Sequence, residues 1–164
     1  MERVAMNDPD AMRDEGLFLC ERQDFGGALT YFSKAAELGD VAAHFELGIM
    51  YLNGEGVEKD IYDMPKALRS FEEAAIGGHP AARFNLGCIE RSNRQYDRAK
   101  RHFIIAAKLG YDKAMDALKI EFKRGVVSKD EYAAALRGHH DAITAMKSPQ
   151  RERGAEAARQ KLHS

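Results

Sequence analysis

Six histidines, two cysteines and 26 carboxylates are the side chains with which this sequence could do chemistry, and their spacing decides what kind. His139 and His140 are adjacent and followed by Asp141. Metal ligands on a helix converge at i, i+3 or i+4, whereas adjacent side chains diverge, so this group reads as surface or packing residues and not as a zinc site. His44, His79 and His102 show no ligand spacing with one another. Gly54-x-Gly56 lacks the third glycine of a dinucleotide fingerprint, and no Gly-Lys-Ser/Thr phosphate loop occurs, so a turn is the better reading. No Ser/His/Asp or Cys/His arrangement stands out, and the carboxylates interleave with Lys and Arg as on a solvated helix face. Arg151, Arg153, Arg159 and Lys161 make the end of the chain mildly basic, which fits a solubilising tail better than a docking site for an acidic partner. No catalytic residue, metal ligand or cofactor is therefore expected.

The bulk composition excludes further classes. Lys+Arg is 25 against 26 Asp+Glu, a net charge of −1, without the basic excess of a nucleic-acid binder. At 45 % hydrophobic and 31 % charged, 164 residues can build one helix-rich domain with a core of its own. No apolar run approaches the ~20 residues that span a bilayer, and Met1 to Asp10 has no apolar signal-peptide core. Two cysteines make no disulfide framework. These features predict an intracellular, cytoplasmic protein with no membrane contact.

What the sequence does carry is a repeat. Ala28-Leu29-x-x-Phe32-x-x-Ala35-Ala36-x-x-Gly39 recurs as Ala67-Leu68-x-x-Phe71-x-x-Ala74-Ala75-x-x-Gly78, and again as Ala99-x-x-x-Phe103-x-x-Ala106-Ala107-x-x-Gly110. A fainter copy is Ala135-Leu136-x-x-His139-x-x-Ala142-Ile143. Spacing of i, i+4, i+7 and i+8 puts these residues on one helical face, and the closing glycine suits a helix C-terminus. A second pattern precedes each copy: Ala11-x-x-x-Glu15-Gly16, Ala43-x-x-x-Leu47-Gly48, Ala82-x-x-x-Leu86-Gly87 and Ala114-x-x-x-Leu118-Lys119. The chain is thus read as four helix pairs, with periods of 32, 39 and 32 residues. The extra seven fall in the loop Asn53 to Asp60, while the matching turns at Arg22 to Phe25 and Arg94 to Asp97 are short. A glycine inside a helix costs roughly 1 kcal/mol, which is offset only if a neighbouring backbone packs against it. Cys20 and Cys88 fall on first helices two pairs apart, too far for a disulfide when helix axes are ~8–10 Å apart, so free thiols are expected.

Local signals set the boundaries. Asp8-Pro9 and His79-Pro80 place proline at a first helical position. Asp40 can cap the helix that follows it, and Ser128-Lys129-Asp130-Glu131 is a capping box. The predicted helices are 9–22, 26–38, 41–53, 64–77, 80–92, 96–109, 112–124 and 129–146. Ser148-Pro149 is read as the start of a short extra helix.

Leu47-Gly48-x-x-Tyr51-x-x-Gly54-x-Gly56-Val57-x-x-Asp60, followed by Ala67-x-x-x-Phe71-x-x-Ala74-Ala75-x-x-Gly78, resembles one Sel-one-like repeat almost in full. That family is a subclass of the tetratricopeptide solenoids, and the flanking pairs resemble ordinary tetratricopeptide units. His102 to Gly110, with Val127 to Asp130 and Ala134 to Arg137, also resembles repeat proteins of unicellular, diatom-type algae. Many of those carry a zinc finger upstream, and this sequence has no Cys/His cluster that could form one. The resemblance implies an all-α fold, a right-handed α-α superhelix (solenoid) of four antiparallel helix pairs. It divides the chain into an N-terminal extension over 1–8, the solenoid over 9–146, and a flexible or partly helical tail over 147–164.

The same resemblance implies a non-catalytic scaffold that binds a protein or peptide on its concave helical face. Carried across residue by residue, the family's groove positions fall on Arg13, Leu17 and Cys20; Phe45, Ile49 and Leu52; Phe84, Cys88 and Arg91; Asp116, Ile120 and Lys123. The competing reading is that Phe45, Ile49 and Phe84 simply pack between repeats. A structural subunit that self-associates through its ends is the alternative function, so a monomer or weak dimer is expected. A hydrolase is a third reading, since some bacterial cysteine-rich relatives have been linked to β-lactams. Those relatives carry a regular cysteine pair per repeat, which is missing here.

Overall fold

The computed structural model describes residues 7–56 and 62–162. Among them are eight helices: α1 (Pro9–Glu21), α2 (Phe25–Glu37), α3 (Val41–Asn53), α4 (Met64–Ile76), α5 (Pro80–Ser92), α6 (Tyr96–Lys108), α7 (Asp112–Lys123) and α8 (Lys129–Leu162). The fold is all-α, of the helical-repeat class that the periodicity predicts. Val57 and Asp60 of the repeat pattern, and residues 1–6 of the expected N-terminal extension, lie outside the described residues.

The helix ends follow from backbone chemistry. After α2, α4 and α6 the chain turns on Gly39, Gly78 and Gly110, with φ of +90°, +87° and +87°, a region closed to most side chains. The amide of Asp40 then donates to the Ala35 carbonyl, His79 to Ala74, and Tyr111 to Ala106. These bonds close three successive Schellman motifs, and the residue that completes each one also precedes the next helix. Asp40 Oδ1 accepts from the Ala43 amide at 2.8 Å, and His79 Nδ1 accepts from the Ala82 amide at 3.3 Å. Tyr111 makes no such side-chain bond. The short turns after α1 and α5 adopt the same left-handed geometry without glycine, at Gln23 (φ 62°) and Arg94 (φ 61°).

The chain divides into two compact units, the first ending at Leu86 and the second beginning at Gly87, inside α5. In the first, α1 packs on α2, α2 on α3 and α3 on α4. Its core is built from Met12, Ala28, Phe32, Ala35, Ala36, Ala43, Leu47 and Met50, joined by the fully buried Phe71. The glycine inside each first helix faces a ring and not the neighbouring backbone that the sequence led us to expect. A Cβ on Gly16 would stand 2.6 Å from Phe32 Cε1, and one on Gly48 would stand 2.5 Å from Phe71 Cε1.

In the second unit Gly87 meets Phe103 in the same way, with 2.6 Å to Cε1. Helix α6 packs on α7, and α8 packs on both. The last pair has Lys119 at the glycine position and His139 at the phenylalanine position, so a different set of contacts holds it. Ser128 N–H donates to Glu131 Oε2 at 2.8 Å and Glu131 N–H donates to Ser128 Oγ at 3.2 Å, completing the predicted capping box. Lys100 Nζ on α6 reaches Glu131 Oε1 at 3.0 Å, His139 Nε2 lies 2.9 Å from Asp112 Oδ1, and the Phe122 and Tyr132 rings stack at 5.3 Å.

Helix α8 corrects one expectation. No new helix starts at Ser148; α8 runs through Pro149 to Leu162. A proline removes one intrahelical donor and costs ~3 kcal/mol, but it does not forbid continuation. The Ser148 hydroxyl donates to the Thr144 carbonyl at 3.3 Å, and Arg153 Nε donates to the Pro149 carbonyl at 3.2 Å. The expectation for Arg151, Arg159 and Lys161 lies outside the described side chains.

The ring contacts fix the sign of a substitution. In an open helix Gly→Ala gains ~1 kcal/mol of propensity. Gly48→Ala would instead drive Cβ into the Phe71 ring, which is 0 % exposed, and overpacking of this kind costs about 1–3 kcal/mol. Gly26→Ala, whose Cβ would meet only Asp24 Oδ1 at 3.9 Å, should not destabilise. Urea unfolding of the two variants should move the midpoint down for Gly48→Ala and leave it level or higher for Gly26→Ala.

Candidate partner-binding faces and buried charges

In the first unit, α1 and α3 supply six of the positions implied for a binding face. Arg13 is half-buried, and Nη1 pairs with Asp10 Oδ1 at 2.9 Å and with Asp40 Oδ2. Asp40 is buried and already caps α3, so Arg13 ties α1 to the start of α3 instead of projecting freely. Phe45 lies against His79, with ring centroids 4.4 Å apart and an 18° interplanar angle, and is tilted against Phe71 at 6.0 Å. Ile49 and Leu52 are half-buried, as is Phe84 on α5, while Leu17 is exposed.

In the second unit, Cys88 and Arg91 on α5 are half-buried, and Asp116, Ile120 and Lys123 on α7 are exposed. The Arg91 guanidinium lies 5.5 Å over the Phe103 ring, and its Nη1 is 3.8 Å from Glu121 Oε1. Each unit thus presents two side chains at one repeat position, six residues after the first alanine of the pattern. These are Leu17 and Ile49 in the first unit, and Cys88 and Ile120 in the second. None of the four is buried.

Burial sets the acid–base character of both thiols. Burial pushes the Cys20 thiol up, and the Glu46 and Glu55 carboxylates add to it. Burial also pushes Cys88 up, against the opposing charge of Arg91. A thiol held protonated is a weak nucleophile and a weak metal ligand. Among the described residues no three or more His, Cys, Asp or Glu side chains are grouped so as to hold a metal ion.

Two features lie outside the twelve positions. A groove of about 410 Å³ in the first unit has Ala36, Leu47 and Tyr51 as its apolar lining and Glu37, Lys66 and Arg69 among its charged residues. None of the implied binding residues lines it. In the second unit Glu121 is 1 % exposed and its Oε2 has no hydrogen-bond partner. Its Oε1 is 3.4 Å from Arg124 Nη1. Glu121 lies seven residues after Ala114, as Met50 lies seven after Ala43, so aligning the repeats flags a carboxylate at a core position.

His79 carries a consequence for stability. Burial holds its imidazole below the ordinary histidine value, against the pull of nearby Asp40. The neutral ring accepts the Ala82 amide at Nδ1, and protonation would turn that acceptor into a donor beside a helix N-terminus. Because the folded pKa is the lower one, the stabilisation is complete above about pH 6.5 and is lost as pH falls through the folded value. The melting temperature should drop over that interval, and His79→Asn, which replaces the Nδ1 acceptor with a capping oxygen that does not titrate, should flatten this part of the profile.

The Sel1 repeat family model matches residues 11–40, 41–79 and 80–111. The match ends where the glycine–phenylalanine contacts end. Over 58 residues the chain is 38 % identical to a Helicobacter pylori protein named "Putative beta-lactamase HcpC", covering 35 % of this chain and 20 % of that one. The fold is similar to the crystal structure of a Sel1 repeat protein from Oxalobacter formigenes, with a TM-score of 0.71, 27 % identity, and coverage of 88 % of this chain and 61 % of that one. It is also similar to c5321, a protective antigen of uropathogenic Escherichia coli strains that displays an SLR fold. There the TM-score is 0.66, the identity 26 %, and the coverage 84 % of this chain and 30 % of that one. The chain therefore spans a fifth of the curated relative and under two thirds of both solved chains.

Proposed function

Because the chain belongs to the Sel1 repeat family, we propose that it is a non-catalytic scaffold holding a protein or peptide partner on the first helices of its repeats. Sel1 repeat folds are typically protein-interaction scaffolds. The observation that carries the reading is the recurring position at Leu17, Ile49, Cys88 and Ile120, which stays accessible while the alanines and phenylalanines of the same repeats are buried. Recognition on such a face is the helix-in-groove or extended-peptide kind, with apolar anchors and charged flanks. In the second unit the flanks are Asp116 and Lys123, while Arg91 lies over Phe103 and faces Glu121. In the first, Arg13 is engaged with Asp40, so Leu17, Ile49 and Leu52 provide apolar contact, and Phe45 and Phe84 support the surface from half-buried positions.

The β-lactamase name belongs to the H. pylori protein, and the matched stretch is a fifth of it. Here both thiols are pushed towards the protonated form, which supports binding over nucleophilic catalysis. Among the described residues no helix is long and apolar enough to cross a membrane. An intracellular, cytoplasmic setting is part of the proposal, supported by two free thiols.

Affinity capture from the cells that make the protein, followed by identification of what is retained, tests the reading. Ile49→Glu and Ile120→Glu should each weaken retention of the same partner about tenfold or more, as loss of a buried anchor does. Helicity and melting temperature should stay near those of the parent chain. Retention unchanged in both variants, or no partner above background, would overturn the proposal.

A further inference from the structure

The near-neutral net charge of −1 conceals a polarised chain. The first unit, Met1–Leu86, carries 8 Lys+Arg and 16 Asp+Glu, whereas the second, Gly87–Ser164, carries 17 and 10. The two units are therefore −8 and +7. Four of the acidic residues, Asp8, Asp24, Asp40 and Asp63, cap helices α1 to α4, while Gln95 and Tyr111, which precede α6 and α7, make no side-chain cap.

The repeat shows which surfaces lack a neighbour. Phe18, Met50 and Glu121 share one position, seven residues after Ala11, Ala43 and Ala114. Met50 is 2 % exposed and belongs to the core cluster to which α2 contributes Ala28, Phe32, Ala35 and Ala36; Glu121 is 1 % exposed. Phe18 is 47 % exposed, with the Arg22 guanidinium 5.0 Å over its ring. No described helix covers it as α2 covers Met50. On the second helices, Leu136 occupies the position of Leu29, which follows the buried Ala28. Leu29 packs against the core that α1, α2 and α3 share, whereas Leu136 is 50 % exposed. The exposed acids on the same helix as Phe18 are Asp10, Asp14 and Glu21. Asp10 pairs with Arg13 at 2.9 Å and Asp14 lies 3.8 Å from the same guanidinium, leaving Glu21 and the outer faces of the other two carboxylates to a partner. The exposed charges among the described side chains of α8 are Lys129, Arg137, Lys147 and Arg153, opposed by Asp130, Asp141 and Glu152.

We propose that these surfaces fit each other between copies: α1 of one molecule docks on α8 of a second, taking the place that α3 takes against α2. Phe18 and Leu136 meet at the centre, and the acidic stripe of α1 lies along the cations of α8. The contact joins two different surfaces, so each copy keeps one free surface of each kind. Most of the attraction between the units lies among exposed charges and is screened by salt.

Sedimentation of the 164-residue chain tests this, since heterologous contacts have a signature that isologous ones lack. The mass should rise with concentration and fall back as salt is added. Phe18→Glu and Leu136→Glu, both at exposed positions, should each remain monomeric alone with helicity unchanged. Mixed in equal amounts they should form a 1:1 complex and nothing larger, because the intact α1 of one variant meets the intact α8 of the other. The double variant should join neither. Phe18→Ser and Leu136→Ser give the same readout should glutamate disturb a helix. A parent chain that is monomeric at every concentration, either single variant still assembling, or a mixture that stays monomeric would each overturn the proposal. Phe18 and Leu136 lie outside the partner-binding positions, so capture by the first-helix face is unaffected in these variants and the two readings fail separately.

Discussion

A phenylalanine ring lying on a glycine of the preceding helix is the contact on which the first three pairs depend. Phe32 on Gly16, Phe71 on Gly48 and Phe103 on Gly87 share one geometry, and all three rings are almost wholly buried. The glycine weakens its own helix but allows an aromatic face to reach the backbone, so two helices approach at a distance no β-carbon would permit. The alanine pairs flanking each ring, such as Ala35-Ala36 and Ala74-Ala75, continue the same close approach. Where the contact is lost, in the last pair, buried Leu118, Val127 and Ala135 and the stacked Phe122 and Tyr132 rings supply the apolar contact, and polar bonds join them: a reciprocal cap at Ser128 and Glu131, the Lys100 bridge, and the pairing of His139 with Asp112.

The fold was largely legible because its determinants are local. Proline at 9 and 80, aspartate at 40 and glycine at 39, 78 and 110 each act within a turn of where they stand, and the predicted boundaries of α1 to α7 fall within one residue of the observed ones. Pro149 misled because a proline's cost is local too, and α8 continues beyond it. The partner of the glycine could not be read from one helix alone; it emerges only when both members of a pair are in place.

The candidate face was legible as a set of positions but not as a set of roles. Periodicity places Arg13, Phe45 and Arg91 on first helices beside Leu17 and Ile120. It does not say that Arg13 is engaged by Asp40, that Phe45 lies on His79, or that Arg91 faces a buried carboxylate. Those assignments depend on residues 27 to 34 positions away in the chain. Glu121 and the groove beside Leu47 each look ordinary in their own helix: Glu121 stands out only when the repeats are aligned, and the groove only in the packing.

At two of the three joints between pairs, one residue does two jobs. Asp40 closes the turn after α2 through its amide and opens α3 through its carboxylate; His79 does the same between α4 and α5. Such a joint has no slack. A single inserted residue would separate the two jobs and undo a stop and a start together. Within the first pair Asp24 carries the same double duty, its amide donating to the Leu19 carbonyl and its carboxylate capping α2, whereas between α3 and α4 the chain has lengthened by seven residues. Grafted sequences, tags or protease sites would accordingly be tolerated between α3 and α4 and rejected at Asp24, Asp40 and His79, so that the architecture dictates where this chain can change its length.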